Sequence, residues 1–189
     1  MAQSIHTISL LHTWMKQRVS EGAFCIDATA GKGKDTAVLA ALAGKSGRVI
    51  AMDIQEAALD AAAAYLKKQG VAECVQLVLD SHANIAAYAE PGSVDCIAFN
   101  LGYLPGGDHS IATHAESTIQ ALEQSLALLK PLGIITLAIY HGGDTGFAER
   151  DAVLEWLKKV DSKQYTVMVT DFYNRPNYPP LAVCIIREQ

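Results

Sequence analysis

Short apolar runs alternate with longer stretches of helical periodicity, and this alternation limits what the chain can fold into. Five runs rich in Val, Ile and Leu occupy residues 23–28, 48–53, 74–79, 94–99 and 132–140. Such a pattern predicts a mostly parallel sheet with helices on both faces. Only "NRPNYPP" separates the last two runs, 164–172 and 181–187, so these strands must form an antiparallel hairpin. We therefore predict an α/β fold with a seven-stranded sheet that ends in an antiparallel pair.

The helical stretches connect these strands without any linker or low-complexity segment. They occupy residues 4–19, 34–43, 55–69, 82–88, 113–129 and 146–160. A chain of 189 residues suits one packed core, so we predict a single domain over residues 1–189. The longest apolar runs are too short to span a membrane, and residues 1–18 lack the unbroken apolar core of a signal peptide. We expect a cytoplasmic protein with no membrane partner.

Charge and cysteine content restrict the partners. The net charge is −5, from 15 Lys and Arg against 20 Asp and Glu, which argues against nonspecific coating of nucleic acid. This balance does not exclude the reading of one nucleotide in a pocket. The cysteines, Cys25, Cys74, Cys96 and Cys184, form no CxxC pair, so we expect buried free thiols rather than a zinc site.

A glycine-containing loop, "DATAGKGKDT", follows the first strand. A strand, this loop and a helix in succession place backbone N–H groups and a helix N-terminus at the carboxyl edge of the sheet. Thr36 stands where the third glycine of a dinucleotide fingerprint belongs, which disfavours a nicotinamide dehydrogenase. Asp27 suits a cationic ligand, although it is also compatible with simple capping of the turn. The expected cofactor-binding residues of this loop are Asp27, Ala28, Thr29, Gly31, Gly33, Asp35 and Thr36.

Two further strands also end in aspartate at the same predicted edge. Asp53, followed by Ile54, ends "RVIAMD", where a carboxylate can accept both hydroxyls of a ribose. Asp80 ends "VQLVLD" and, with Ser81 and His82, stands where an adenine would be reached. Each aspartate alone is compatible with a helix N-cap, but three strands with the same ending indicate a binding site.

The strands that follow supply the candidate residues for binding a substrate beside the cofactor. "CIAFNLGYLPGGD" ends the fourth strand with Asn100, which is also compatible with a simple turn. A metal site formed by Asp108, His109, His141 and Asp144 lacks compact ligand spacing, so we predict no metal. The hairpin carries Arg175 between aromatic residues, a combination that stacks bases and contacts phosphates. The expected substrate-binding residues are Leu101, Gly102, Leu104, Tyr140, Tyr173, Arg175 and Tyr178.

The mostly parallel sheet with its final hairpin is typical of Rossmann-like, class I S-adenosylmethionine-dependent methyltransferases, and several separated motifs agree. "HTISLLH", "DATAGKGKDT", "NLGYLPGGDHSI", "YHGGDTG" and "DFYNRPNYPPLAVCI" resemble a small bacterial family across essentially the whole chain. Its older label is rRNA methylase, and its members are assigned as tRNA 5-(aminomethyl)-2-thiouridine methyltransferases. Asn100 also resembles the first residue of the N/D-P-P-Y/F loop of amino-group methyltransferases. Leu101, Gly102 and Tyr103 replace the rest of that motif, so transfer to a base nitrogen does not follow from it.

The family resemblance implies methyl transfer from S-adenosylmethionine to the aminomethyl nitrogen of the modified wobble uridine, with a tRNA anticodon stem-loop as partner. We assign Asn100 to positioning of the amine. His141 is the first candidate for proton acceptor, Asp108 the second, and Tyr103 a wall or hydrogen-bond partner. His141 is almost equally compatible with a packing role. A homodimer is compatible with the resemblance, but no residue pattern shows it.

Three alternatives stay open at this point. An rRNA methyltransferase would have the same fold and differ only in its acceptor. A nicotinamide dehydrogenase is disfavoured by the loop and the hairpin. A noncatalytic RNA-binding protein with a relic cofactor pocket is disfavoured by the polar residues that the crevice retains.

Overall fold

A seven-stranded sheet forms the centre of the fold in this computed structural model, which describes residues 5–102, 113–140 and 143–189. The strands are β1 (Phe24–Asp27), β2 (Arg48–Asp53), β3 (Val75–Leu79), β4 (Val94–Leu101), β5 (Leu129–Ile139), β6 (Tyr165–Thr170) and β7 (Leu181–Arg187). The α-helices are α1 (Thr7–Arg18), α2 (Lys34–Ala43), α3 (Glu56–Gln69), α4 (Ala115–Leu128) and α5 (Gly143–Leu157). Short 3₁₀ helices span Ala72–Cys74 and His82–Tyr88. None of the described helices is long and apolar enough to cross a membrane.

The strand order is β3-β2-β1-β4-β5-β7-β6. Strands β1 to β5 pair in parallel, whereas β7 pairs antiparallel with both β5 and β6. The predicted mostly parallel sheet with a final antiparallel hairpin is therefore confirmed. The direction of winding reverses between β1 and β4, and in open α/β sheets ligands bind outside the carboxyl ends of the strands at such a reversal.

Side chains alternate between two apolar layers because successive strand residues point to opposite faces. Ile26, Ile50 and Phe99 belong to a layer that includes residues of α4 and α5. Cys25, Val49 and Cys96 belong to the opposite layer, which includes residues of α1 and α2. The predicted free thiols are present, with Cys74 only partly buried. Burial raises the pKa of the Cys25 thiol to about 12, which keeps it protonated.

Element boundaries differ from the sequence predictions by up to three residues, most at β5, α1 and α5, and α5 lies three residues earlier than predicted at both ends. Strand β5 begins at Leu129 rather than at residue 132, although "KPLG" resembles a turn. The strand accommodates these residues through an irregularity, since the β4–β5 register shifts between Val94 and Cys96 and Leu132 has a φ of 65°. At the N-terminal end, α1 begins at Thr7 because His6 caps it by accepting a hydrogen bond from the Ser9 N–H.

Candidate active site

The carboxyl ends of β1, β2, β3 and β4 meet along one edge of the sheet. Asp27 ends β1, Asp53 ends β2, and the Asp80 N–H donates to the Asp53 carbonyl across 3.1 Å. Asn100 lies on β4, two residues beyond the pairing partner of Asp27. The four polar residues that the sequence placed at one edge therefore do lie at one edge.

Asp27 is buried in the base of this edge rather than exposed in it, with 0% of its surface accessible. Its Oδ2 accepts a hydrogen bond from the Thr36 hydroxyl at 2.6 Å, and its Oδ1 accepts one from the Thr29 N–H at 3.2 Å. Burial, reinforced by the charge of Asp35, raises the pKa of Asp27 to about 7. We expected this carboxylate to meet a cationic ligand directly. In the structure it instead holds the two sides of the loop together.

The glycine loop uses most of its backbone N–H groups within the protein. The N–H groups of Ala28, Ala30 and Gly33 donate to backbone carbonyls, and that of Gly31 donates to Asp53 Oδ2 at 2.9 Å. With the Thr29 N–H also engaged, these groups are not available to cradle a phosphate. The loop itself therefore offers few donors to a pyrophosphate, while α2, which begins directly after it, has no side-chain N-cap.

The packing of two helices requires a glycine at position 33. The φ of Gly33 is 76°, and a Cβ at this position would lie 3.0 Å from the Cα of Ala62 on α3. Gly33 therefore permits α2 to start close to α3. We had expected it to permit the close approach of a ligand.

Asp53 is only partly buried and combines loop support with free acceptor capacity. Its Oδ1 accepts from the Gln55 N–H at 2.9 Å, in addition to the Gly31 contact of Oδ2. A carboxylate offers about four lone-pair directions, so these two bonds leave room for ribose hydroxyls. Beside it, Ile54 and Leu79 are 54% and 57% exposed, which is unusual for large apolar side chains at adjacent strand ends.

Asp80 and His82 form the next part of the edge. Hydrogen bonds from Tyr88, Asn84 and the Ser81 N–H hold the pKa of Asp80 below its usual value. His82 is 8% exposed and packs edge-to-face against Phe99. Burial lowers the pKa of His82, so its ring is neutral near pH 7. Among the described residues, no group lies within hydrogen-bonding distance of its Nε2.

Asn100 is held by two polar groups, the Thr29 hydroxyl and the Asp35 carboxylate. Its backbone N–H donates to the Thr29 hydroxyl at 2.7 Å, and its Nδ2 donates to Asp35 Oδ2 at 2.6 Å. The other carboxylate oxygen of Asp35 lies 2.7 Å from Nε2 of His12 on α1. Although burial opposes ionisation of Asp35, hydrogen bonds from His12 and Asn100 outweigh it and lower its pKa.

The residues that follow Asn100 are tied to α5 and to β5. Leu101 is fully buried, so only its backbone is placed to contact a substrate. Gly102 has a φ of 144°, and its N–H donates to the Thr113 hydroxyl at 2.8 Å. That hydroxyl donates to the buried Glu149 on α5, again at 2.8 Å. Tyr140 is partly exposed, and burial together with the charge of Asp35 raises the pKa of its phenol.

The C-terminal hairpin brings its aromatic residues to the same edge, because Leu181 pairs with Ile139 at the end of β5. Tyr173 is 97% exposed, and the guanidinium of Arg175 lies 4.6 Å from the ring centroid of Phe172. Tyr178 is also exposed and packs edge-to-face against Phe147 of α5. Arg175 therefore contacts Phe172 and Tyr178 contacts Phe147, and the predicted cluster of Arg175, Tyr173 and Tyr178 stays a prediction.

Four predicted residues lie outside the described part of the chain: Tyr103, Leu104, Asp108 and His141. Their assigned roles stay predictions. His109 lies there too, so the metal alternative is also untested. Within the described ranges, no group of three His, Cys, Asp or Glu side chains is arranged to hold a metal ion.

The sequence reasoning missed His12, Leu79 and Glu149. His12 is part of "HTISLLH", a motif used only for the family resemblance, and nothing in its spacing connects it with Asp35. Leu79 precedes Asp80 directly, and its position at a strand end was the available signal. Glu149 lies on α5 with no motif around it.

Comparison with known proteins gives consistent matches. Residues 49–186 match the family described as "Putative rRNA methylase". A curated relative from Arabidopsis thaliana, named chloroplastic tRNA (mnm(5)s(2)U34)-methyltransferase, is 34% identical in an alignment 187 residues long that covers 94% of this chain and 68% of the relative.

Two crystal structures are also closely similar. One, described as a "putative rRNA-methylase" from Clostridium thermocellum, has a TM-score of 0.95 and 46% identity, covering 98% of this chain and 100% of its own. The other, described as a "putative methyltransferase" from Streptococcus mutans in complex with SAH, has a TM-score of 0.88 and 34% identity. It covers 98% of this chain and 99% of its own.

Proposed function

The chain belongs to the rRNA methylase family of class I, S-adenosylmethionine-dependent methyltransferases, and from this premise we propose a tRNA acceptor. The proposed acceptor atom is the aminomethyl nitrogen of 5-aminomethyl-2-thiouridine at the wobble position. The observation that carries this proposal is the 34% identity, over nearly the whole chain, to a relative named as a methyltransferase of mnm(5)s(2)U34 in tRNA. The predictions of family, enzyme class and cofactor are confirmed.

The described residues fit S-adenosylmethionine at the strand ends. The free acceptor capacity of Asp53 suits the ribose hydroxyls. The exposed apolar side chains of Ile54 and Leu79 suit an adenine ring. We assign the ribose to Asp53 and the adenine to the neighbourhood of Asp80, Ser81 and His82.

When bound, S-adenosylmethionine supplies a methyl group on a sulfonium, so the sulfur keeps the electron pair of the broken bond and the amine nitrogen forms the new one. The residues of the chain then mainly supply alignment of the acceptor. Asn100 is suited to this task because its amide oxygen can accept an N–H of the amine and so orient the lone pair. A neutral amine becomes a secondary ammonium ion on transfer, and that ion releases a proton. His141, and after it Asp108, stay our candidates for the group that accepts this proton.

The hairpin supports a single-stranded acceptor such as an anticodon loop. Tyr173 and Tyr178 are exposed rings suited to base stacking, and Arg175 adds a cation beside them. A protein with a net charge of −5 can bind RNA in this way because it contacts few phosphates. We place the wobble base between this cluster and Asn100.

The test is transfer of a labelled methyl group to tRNA purified from cells that lack the final modification step, followed by nucleoside mass spectrometry. We expect label in 5-methylaminomethyl-2-thiouridine. The control is fully modified tRNA from wild-type cells, which already carries the methyl group and should accept no label.

The competing acceptor is ribosomal RNA, which the family description favours. Ribosomal subunits are therefore assayed beside the tRNA under the same conditions. Label in ribosomal RNA with none in tRNA would replace the proposed acceptor.

A further inference from the structure

A chain of hydrogen bonds connects α1 with the acceptor side of the site. Asp35 lies between His12 and Asn100, with His12 Nε2 at 2.7 Å from Oδ1 and Asn100 Nδ2 at 2.6 Å from Oδ2. The Asp35 side chain is 8% exposed and that of His12 is 22% exposed. Short contacts to a shielded carboxylate are strong and directional.

The chemistry of the groups fixes the direction of each bond. An ionised carboxylate only accepts, so His12 must carry a proton on Nε2 and Asn100 must present its NH₂ group to Asp35. The Asn100 amide therefore cannot flip without losing its bond to Asp35. Its oxygen, Oδ1, then lies on the side of the amide away from Asp35. Across the described ranges, no donor is paired with that oxygen.

The backbone of Asn100 is held independently of this chain. Its N–H donates to the Thr29 hydroxyl, and Leu101 pairs with Ile139 in the sheet. The only freedom left to Asn100 is therefore the rotation of its side chain, which Asp35 removes. Asp35, in turn, has a side chain that is only 8% exposed, and this burial leaves it poorly placed to contact the cofactor as the sequence suggested.

We propose that Asp35 and His12 are positioning residues for the methyl acceptor, acting through Asn100. This inference rests on the proposed function, because it takes an amine as the group that donates to Asn100 Oδ1. With Asp35 holding the NH₂ group, the amide oxygen faces the acceptor and fixes the direction of its lone pair. His12 holds Asp35 in place by donating a hydrogen bond to its carboxylate. The "HTISLLH" motif thereby contributes a helix to acceptor alignment.

The central test compares His12→Phe with His12→Gln. Phenylalanine keeps the ring but removes the N–H, whereas the amide nitrogen of glutamine can occupy the place of Nε2 and donate to Asp35. We expect His12→Phe to lower kcat for tRNA methylation by about 10- to 100-fold, as small misalignments do. The dissociation constant of S-adenosylmethionine should stay within about twofold. His12→Gln should restore most of the lost kcat.

A matched control and a second variant separate positioning from general loosening of α1. His6→Ala removes the N-cap of the same helix without touching Asp35, so kcat should equal that of the wild type. Asp35→Ala removes both acceptor oxygens, so Asn100 and His12 each lose their shared partner. We expect kcat to fall at least as far as for His12→Phe.

A readout without RNA tests the positioning by itself. The side-chain amide resonances of Asn100, assigned in ¹⁵N-labelled protein by their loss in Asn100→Asp, should shift in His12→Phe and return toward wild type in His12→Gln. Unchanged resonances in His12→Phe, an unchanged kcat, or failure of His12→Gln to restore kcat would each overturn the proposal. Failure of the proposed function has a different signature, since the wild-type protein would then transfer no methyl group to tRNA.

Discussion

At the scale of single residues, the carboxylates of the site differ in how much of their charge is available to a ligand. Asp27 is fully buried, with bonds to Thr36 and Thr29, and Asp35 is 6% exposed. Asp53 and Asp80 are only partly buried. The outer carboxylates are therefore suited to ligand contacts, while the inner ones support the loop and Asn100.

Asp27 gives a prediction about stability and pH. Its folded-state pKa of about 7 exceeds the ordinary value of 3.8, so the folded protein binds an extra proton between these values. Its contribution to stability is complete below about pH 4 and is lost as the pH rises through 7, at up to about 1.4 kcal/mol per pH unit. The free energy of unfolding of Asp27→Asn relative to wild type should therefore improve from pH 4 to pH 8. Urea titrations without cofactor measure this difference, and a difference independent of pH would contradict it.

Asp53 gives a prediction about cofactor binding. Asp53→Ala would leave ribose hydroxyls and the Gly31 N–H without an acceptor, so it should weaken binding of S-adenosylmethionine by about 1–3 kcal/mol. Calorimetric titration measures the loss. Asp60→Ala, on the exposed side of α3, removes the same charge and should leave affinity unchanged. Equal affinities for the two variants would refute the ribose assignment.

At the scale of elements, α5 holds Gly102, directly after β4, and Thr113, shortly before α4, close together. Glu149 accepts hydrogen bonds from the hydroxyls of Thr113 and Thr118, both at 2.8 Å. Thr113 also exchanges two bonds with Gly102, through its hydroxyl and its N–H. The end of β4, the start of α4 and the body of α5 are thereby joined by one buried carboxylate.

We expect Glu149→Ala to destabilise the protein by about 1–3 kcal/mol, because it leaves the buried Thr118 hydroxyl and the partly buried Thr113 hydroxyl without an acceptor. Thermal unfolding measures the change. Glu155→Ala, also on α5, removes an exposed side chain paired with Lys158, and its unfolding midpoint should match that of the wild type. A Glu149→Ala midpoint equal to that of Glu155→Ala would show that the buried carboxylate does not join these elements.

The strands and their aspartate ends were predictable because both rest on local patterns. Apolar runs set β2 and β7, whose predicted and observed limits coincide, and the aspartates follow directly in sequence. His12 meets Asp35 across 23 residues and Asn100 meets Asp35 across 65, contacts that depend on how α1 packs on the sheet. Likewise, the start of β5 depends on an irregular pairing with β4, which no local pattern encodes.

At the scale of the whole molecule, an acidic protein presents a small basic and aromatic surface beside its candidate active site. The net charge is −5, yet the hairpin places Arg175 and the exposed Tyr173 at the edge where β5 ends. The Thr7 hydroxyl donates to the Pro180 carbonyl at 2.6 Å, which ties this hairpin to α1. RNA contact is therefore expected on one side of the molecule. Single-domain organisation and a homodimer stay predictions at this scale.

Arg175→Ala should weaken binding of the anticodon stem-loop by about 3- to 10-fold while cofactor affinity stays the same. The salt dependence should also become shallower, by about 0.7 in the slope of log K against log salt, for one lost phosphate contact. Filter binding at several salt concentrations measures both. Lys163→Ala, an exposed cation before β6 at the other end of the hairpin, is the matched control and should bind as the wild type does. An Arg175→Ala curve that overlays this control would remove the hairpin from the RNA surface.

The pairing of the glycine-loop N–H groups within the protein has a consequence for selectivity inside a cell. ATP and NAD are abundant there, and both share the adenosine portion of the methyl donor. A crevice with free amide donors would be partly filled by such nucleotides, since their phosphates would dock on the loop. Here the N–H groups of Ala28, Thr29, Ala30, Gly31 and Gly33 are already engaged, and Asp53 adds negative charge nearby. We therefore expect ATP and NAD to be poor competitive inhibitors of S-adenosylmethionine binding, because their phosphates find few free N–H donors on the loop.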